Sequence, residues 1–247
     1  MGSSLRKTWA EETRGSASPA ADLPSAELFR GLTSQEVHSV LGAARLRRYP
    51  AKSVIYHQAD PAKHVLLLRE GRARYFYETG NGEKLILRWL LPGYTFGLGG
   101  MLLQMPKYLV GVEAVQDSLV SVWDTRSFRG LARRLPQLVE NALFITSYSF
   151  GWYIAAHAAL CSQSAQERLA QILFEYATKV GRKVPGGIEL DATNEELADA
   201  ANVTHFTASR LISAWARTGL VQKQRGKIML CSPERLFQHA KETERSG

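Results

Sequence analysis

Between Arg47 and Asp124 the side chains alternate between apolar and polar, and turn residues recur every eight to twelve positions. Strands are expected at Val54-Ile55-Tyr56, Val65-Leu66-Leu67-Leu68, Ala73-Arg74-Tyr75-Phe76-Tyr77, Leu85-Ile86-Leu87-Arg88-Trp89, Val110-Gly111-Val112 and Leu119-Val120-Ser121-Val122-Trp123. Glu70-Gly71, Gly80-Asn81-Gly82, Pro92-Gly93 and Asp117-Ser118 separate them. Many short strands at that spacing predict an antiparallel sandwich or jelly roll. Ahead of them, Leu28-Phe29-Arg30-Gly31-Leu32 leads to Thr33, three residues before Glu36. That is a capping box, and Val37, Val40 and Leu41 follow it at helical spacing. Arg45, Arg47 and Arg48 read as a solvated helix end and strand edge.

Past Pro136 the period changes to three and four. Leu138, Asn141, Ile145, Tyr148, Trp152, Ala155 and Ala159 form an a/d seam. No residue from Asn141 to Gln166 is formally charged, and Phe144, Phe150 and Tyr153 lie off the seam. This helix should therefore be buried on other faces too. Asn141, Thr146, Ser147, Ser149, His157 and Ser162 interrupt the apolar run too often for a membrane span. After a hinge at Cys161-Ser162-Gln163-Ser164, a helix from Ala165 to Gly181 turns Leu169, Ile172, Leu173 and Tyr176 inward, and Pro185-Gly186-Gly187 makes a turn.

The stretch from Thr193 to Leu230 carries the chemistry. Thr193 and Glu196 make a second capping box, opening a helix with Leu197, Ala198 and Ala201 inward. Asn202-Val203-Thr204 breaks it, and Thr204 caps a further helix from His205 to Thr218. Ala208, Leu211, Ile212 and Trp215 give that helix one apolar face, leaving His205, Phe206, Ser209, Arg210 and Ser213 on the other. Gly219 stops it, and residues 222–230 read as two strands turning at Arg225-Gly226. Between Ala201 and Leu230 there are five Lys or Arg residues and no Asp or Glu. Such a unit suits a winged helix-turn-helix on double-stranded DNA. The second helix would enter the major groove, while Lys223, Arg225 and Lys227 of the wing hold phosphates.

These residues resemble the CRP/FNR regulators, named for the cyclic-AMP receptor protein and the fumarate-nitrate reductase regulator. The family's T-x-x-E/D-[LI]-A opening is matched by Thr193, Glu196, Leu197 and Ala198, and its S/T-x-x-T-x-x-R helix by Thr204, Thr207 and Arg210. Thr218-Gly219-Leu220-Val221 resembles the family's entry to the wing. In the strand-rich part, Tyr49-Pro50-Ala51-Lys52-Ser53-Val54-Ile55 is similar to Y-x-x-G-x-x-[LI], and Leu67-Leu68-Arg69-Glu70-Gly71 to L-L-x-x-G. Pro92-Gly93 to Phe96-Gly97 is similar to P-G-D-x-F-G, with Tyr94 in place of Asp. The resemblance implies a homodimer joined through Ile145, Tyr148, Trp152, Ala155 and Ala159, with Gly151 allowing close approach. It also implies a pseudo-palindromic DNA site and contacts with RNA polymerase.

The sensor motif departs from the family's nucleotide-binding members. They carry F-G-E-[LA] followed by R-[ST]-A, whose Glu takes the ribose hydroxyl and whose Arg pairs with the cyclic phosphate. Here Phe96-Gly97-Leu98-Gly99-Gly100 puts Leu98 at the Glu position, and the R-[ST] pair falls near Tyr108-Leu109. A buried cyclic phosphate would lack its compensation, so a cyclic nucleotide is not the expected effector. Phe96, Gly97, Leu98, Gly99, Gly100, Tyr108 and Trp152 remain as the candidate effector pocket. His157 and Cys161, four residues apart, are possible haem or metal ligands, and the family has a haem-sensing branch. A packed histidine and a buried thiol is the reading taken, with no cofactor and no metal. No cysteine precedes Cys161, so the oxygen-sensing iron–sulfur centre of the FNR branch is not expected.

Composition alters this picture little. A formal charge of +8 over 247 residues favours a polyanionic partner. Two cysteines, Cys161 and Cys231, give no disulfide framework and favour the cytoplasm. No nucleophile–base pair, phosphate loop or metal-spaced cluster points to an enzyme. The expected architecture is α+β: a flexible tail over 1–24, a β-roll sensor domain over 25–135, a dimerisation helix and hinge over 136–163, and a winged helix-turn-helix over 164–247.

Overall fold

The computed structural model describes residues 26–102, 105–224 and 226–245, so the expected tail lies outside the described residues. The chain divides into two compact units after Gly151, inside the long helix rather than at either of its ends.

In the first unit a short 3-10 turn (Glu27–Phe29) precedes α1 (Ser34–Gly42), whose N-terminus is closed by the Thr33–Glu36 capping box. Eight strands follow: β1 (Arg45–Tyr49), β2 (Val54–Tyr56), β3 (His64–Glu70), β4 (Ala73–Glu78), β5 (Lys84–Leu90), β6 (Thr95–Phe96), β7 (Gly111–Ala114) and β8 (Ser118–Asp124). They form two antiparallel four-stranded sheets, ordered β1-β8-β3-β6 and β2-β7-β4-β5. The arginine run at residues 45–48 is thus a full strand, paired with β8 from Arg45↔Val122 to Tyr49↔Ser118. A short helix α2 (Gly99–Leu102) lies between β6 and β7, and α3 (Thr125–Arg134) and α4 (Gln137–Ser162) close the roll.

The apolar run of β3 serves two cores at once. Leu66 and Leu68 face the space between the sheets, with Tyr56, Phe96, Tyr108, Val112 and Val120. Val65 and Leu67 face the helices, with Leu98, Trp123, Phe128, Leu138 and Ile145. Burial on both faces explains why this strand does not alternate with polar residues. Each such side chain is stabilising by about 1.5–3 kcal/mol. Two buried polar groups fix the helical layer. Trp123 Nε1 donates to the Val40 carbonyl at 2.7 Å, and Asn141 Nδ2 donates to the carbonyls of Leu28 and Arg30 at 2.9 and 2.8 Å.

The second unit holds the rest of α4, then α5 (Ala165–Val180), capped by Ser164 and Glu167. It continues through β9 (Arg182–Val184), β10 (Gly187–Leu190), α6 (Asn194–Ala201), α7 (His205–Arg217), β11 (Val221–Gln224), β12 (Lys227–Leu230) and α8 (Pro233–Arg245). The sheet is four-stranded, ordered β11-β12-β10-β9. The wing is therefore backed by a second hairpin, which the sequence pattern shows only as the turn at Pro185-Gly186.

No helix among the described residues is long and apolar enough to cross a membrane.

Candidate nucleic-acid interface

Helix α6 starts at the Thr193–Glu196 capping box, with Thr193 N–H on the Glu196 carboxylate at 2.8 Å and Glu196 N–H on Thr193 Oγ1 at 3.2 Å. It ends at Asn202, whose φ of 49° is the left-handed cap that turns the chain into α7. Thr204 Oγ1 accepts from Thr207 N–H at 3.1 Å and caps α7. Ala208, Leu211, Ile212 and Trp215 are all buried, which fixes the rotation of α7. The outward side then carries His205, Phe206 and Arg210 exposed, with Thr207, Ser209 and Ser213 half-buried. Phe206 is 76% exposed, an unusual state for a phenyl ring that serves only a core.

One positioning residue escapes the sequence. Arg168 of α5 donates to the carbonyls of Ala201 at 3.1 Å, Asn202 at 3.2 Å and Gln163 at 2.7 Å. It neutralises the C-terminal end of α6 and holds the turn that aims α7. Its carbonyl partners at the turn lie more than thirty residues away, so no local spacing signals it.

The wing lysines are not equivalent. Lys223 Nζ donates to Ser213 Oγ at 2.6 Å, and Ser213 in turn donates to the Ser209 carbonyl at 2.7 Å. This ties the wing to α7 through neutral groups, so the lysine charge stays available. Lys227 instead meets the Glu189 carboxylate at 3.0 Å, which Arg182 also reaches at 2.6 Å. Arg182 first and Lys227 second hold the Glu189 carboxyl below the usual range. Arg225 lies outside the described residues.

A turn-linked helix pair with a capped, outward-facing second helix and a basic hairpin can place side chains on base edges and cations on phosphates. Comparison with known proteins agrees. The profile of the cyclic nucleotide-binding domain matches residues 46–134, and that of the Crp-like helix-turn-helix domain matches residues 167–238. The chain belongs to the CRP/FNR family of transcription regulators.

Among its relatives, the cyclic AMP receptor protein of Thermus thermophilus is 27% identical over 201 residues, covering 81% of this chain and 90% of the relative. The transcriptional regulatory protein btr of Bordetella pertussis is 25% identical over 203 residues, covering 81% and 83%. In fold, the chain is similar to FixK2 from Bradyrhizobium japonicum, with a TM-score of 0.71, 23% identity, and 79% and 96% of the two chains covered. The family consists of regulators rather than enzymes.

The sensor residues singled out in the sequence take different places in the fold. Leu98 is buried in the helical core, whereas Phe96 lies in the core between the sheets. Tyr108 stacks on Tyr56 with ring centroids 3.8 Å apart, and its hydroxyl donates to the His64 carbonyl at 3.1 Å. Burial, with the nearby Tyr49 and Asp60, pushes the Tyr108 hydroxyl up to about 12, against a lowering from the His64 contact. Gly97, at φ 78°, and Gly100 are glycines for packing: a Cβ there would strike the carbonyls of His64 and Ala62. Gly99 opens α2. Trp152 falls in the second unit, half-buried and edge-on to Tyr153.

A different polar line joins the roll to α4. Buried Arg88 donates to the Tyr94 hydroxyl at 2.8 Å, and that hydroxyl pairs with Ser149 Oγ at 2.8 Å. Tyr94, the residue that departs from the family's Asp, is thus the link between β5 and α4.

On α4 the expected seam needs correction at Ile145. Ile145 is buried in the helical core of its own chain, beside Leu138 and Ala142, and cannot face a partner. Trp152 and Ala159 are half-buried, while Tyr148 and Ala155 are exposed. Leu143, Phe150 and Ile154 are exposed on the opposite side from Ile145, and Phe144, Tyr148 and Leu160 are exposed beside them. A helix apolar on every side offers several a/d registers, and the one read from spacing runs inward at Leu138, Asn141 and Ile145 but outward at Tyr148 and Ala155. His157 and Cys161 are both exposed, against the expectation of a packed histidine and a buried thiol.

Proposed function

We propose that the chain works as a homodimeric, sequence-specific transcription regulator that binds a pseudo-palindromic operator and responds to an effector other than a cyclic nucleotide. The observation that carries this reading is the face of α7: Phe206 and Arg210 stand exposed on a helix whose rotation and entry turn are fixed by buried contacts. Two copies related by a two-fold would set their recognition helices about 34–36 Å apart, one turn of DNA. A cytoplasmic setting and contacts with RNA polymerase follow from the same reading.

The effector part rests on Leu98 and Tyr108. An apolar side chain turned into a core offers no acceptor to a ribose hydroxyl, and a stacked phenol offers no cation to a cyclic phosphate. The Arg88–Tyr94–Ser149 line is the route by which occupancy of the roll would reach α4. The apolar side chains packed between the sheets favour one alternative, a ligand-independent regulator whose roll is structural. Native mass spectrometry of the purified protein, with operator binding measured alongside, separates them. Extra mass whose removal changes operator affinity supports an effector, and a bare dimer with full affinity supports the structural roll.

A further inference from the structure

Leu143, Phe150 and Ile154 are 51%, 68% and 57% exposed along α4. Together with Ser147, His157 and Cys161 they recur in steps of four, three, four, three and four. That spacing places all six on one narrow helical face. No formal charge occurs from Asn141 to Gln166. A second copy of the same helix is the occupant this favours, because an uncharged apolar stripe matches itself and offers no charge by which another partner would be selected.

Near the end of the stripe, His157 Nε2 lies 4.0 Å from Cys161 Sγ. A tetrahedral zinc ion bound by one sulfur at about 2.3 Å and one nitrogen at about 2.0–2.1 Å holds those atoms about 3.6 Å apart. The pair is therefore close to the bite of a single metal ion before any side chain moves. Among the described residues of one chain, no group of three or more His, Cys, Asp or Glu could hold a metal. One chain supplies half a site.

We propose that a second copy completes it: the His157–Cys161 pairs of two α4 helices meet across the two-fold and bind one zinc-like divalent cation through two imidazoles and two thiolates. This rests on the homodimer reading above. The bound ion staples the two helices one turn before α5 begins, so dimer strength depends on metal supply.

The test uses the full chain, reduced and stripped with a chelator, then titrated with Co²⁺ while absorbance and sedimentation are followed. The visible bands of tetrahedral, thiolate-bound cobalt should saturate at one ion per two chains and be bleached by Zn²⁺. They should vanish in His157→Ala and Cys161→Ser and persist in Cys231→Ser. Both targeted side chains are exposed, and unchanged thermal unfolding will verify that the variants fold. A metal-free dimer that develops no bands overturns the metal site alone, as do bands that survive Cys161→Ser or saturate at one ion per chain. A chain that stays monomeric with and without cobalt overturns the dimer reading and the site together, whereas a monomer that dimerises on cobalt supports the site.

Discussion

Replacing Arg210 with Ala separates base reading from simple phosphate attraction. Arg210 is exposed, five residues past the start of α7 and so about 7.5 Å along its axis. No hydrogen bond or ion pair holds its guanidinium among the described residues, so its removal orphans nothing. Ala is also the better helix former, and stability should change by less than about 0.5 kcal/mol. On DNA, a guanidinium fork matched to the two acceptors of guanine is worth about 1–3 kcal/mol. A dimer makes two such contacts, which gives about 2–6 kcal/mol, or roughly 30-fold to 10⁴-fold in affinity. Random DNA should lose far less, because only one charge per subunit disappears. Fluorescence anisotropy with operator and scrambled duplexes, at several salt concentrations, reads both losses. Equal losses on the two duplexes would refute the argument. Arg210 would then be a phosphate clamp, and base reading would fall to His205, Phe206 and Ser209.

Lys223→Gln should flatten the slope of log affinity against log salt by about 0.9 per subunit, and Lys227→Gln by less, since Glu189 already engages that ammonium; equal slopes would show that the ion pair opens on DNA. Cyclic AMP and cyclic GMP at millimolar concentration should leave the melting temperature and operator affinity unchanged, and micromolar binding by calorimetry would contradict this. For Tyr108, the fold favours the protonated phenol. Its contribution is complete below about pH 10 and is lost as pH rises towards about 12, a fall of up to about 2–3 kcal/mol in denaturant titrations that Tyr108→Phe should remove. On α4, Phe150→Arg should dissociate the dimer without unfolding the chain, whereas Ile145→Ala should cost about 2–4 kcal/mol of stability and leave the dimer intact; sedimentation and thermal unfolding distinguish these outcomes.

Legibility in the sequence follows how local each cause is. Capping boxes at Thr33, Ser164 and Thr193 span three residues, and two of the three are plain in the sequence as helix starts. The face of α7 is legible because Ala208, Leu211, Ile212 and Trp215 are its only large apolar side, apart from Phe206. By contrast α4 is apolar all round, so spacing alone does not tell the side facing its own roll from the side facing outward. Arg168 gives no sequence signal and Tyr94 shows only as a departure from the family motif, because their roles depend on partners brought together by the tertiary fold. The arginine-rich β1 reads as a mere edge because charge masks its alternation; only Tyr49 of that strand is buried. Leu98 is recognisable as a departure from the family motif, but its place in the helical core, away from Phe96, depends on the turn at Gly97.

The central claim is that two copies of α7 read one symmetric DNA site. Selection of binding sites from a random duplex library, using the purified chain, addresses it with no target assumed. The account predicts enrichment of an inverted repeat whose half-sites are centred about 10–10.5 base pairs apart or a multiple of that spacing, with the enriched half-site guanine losing its preference in Arg210→Ala. Enrichment of a single asymmetric motif, or none above random DNA, would contradict it.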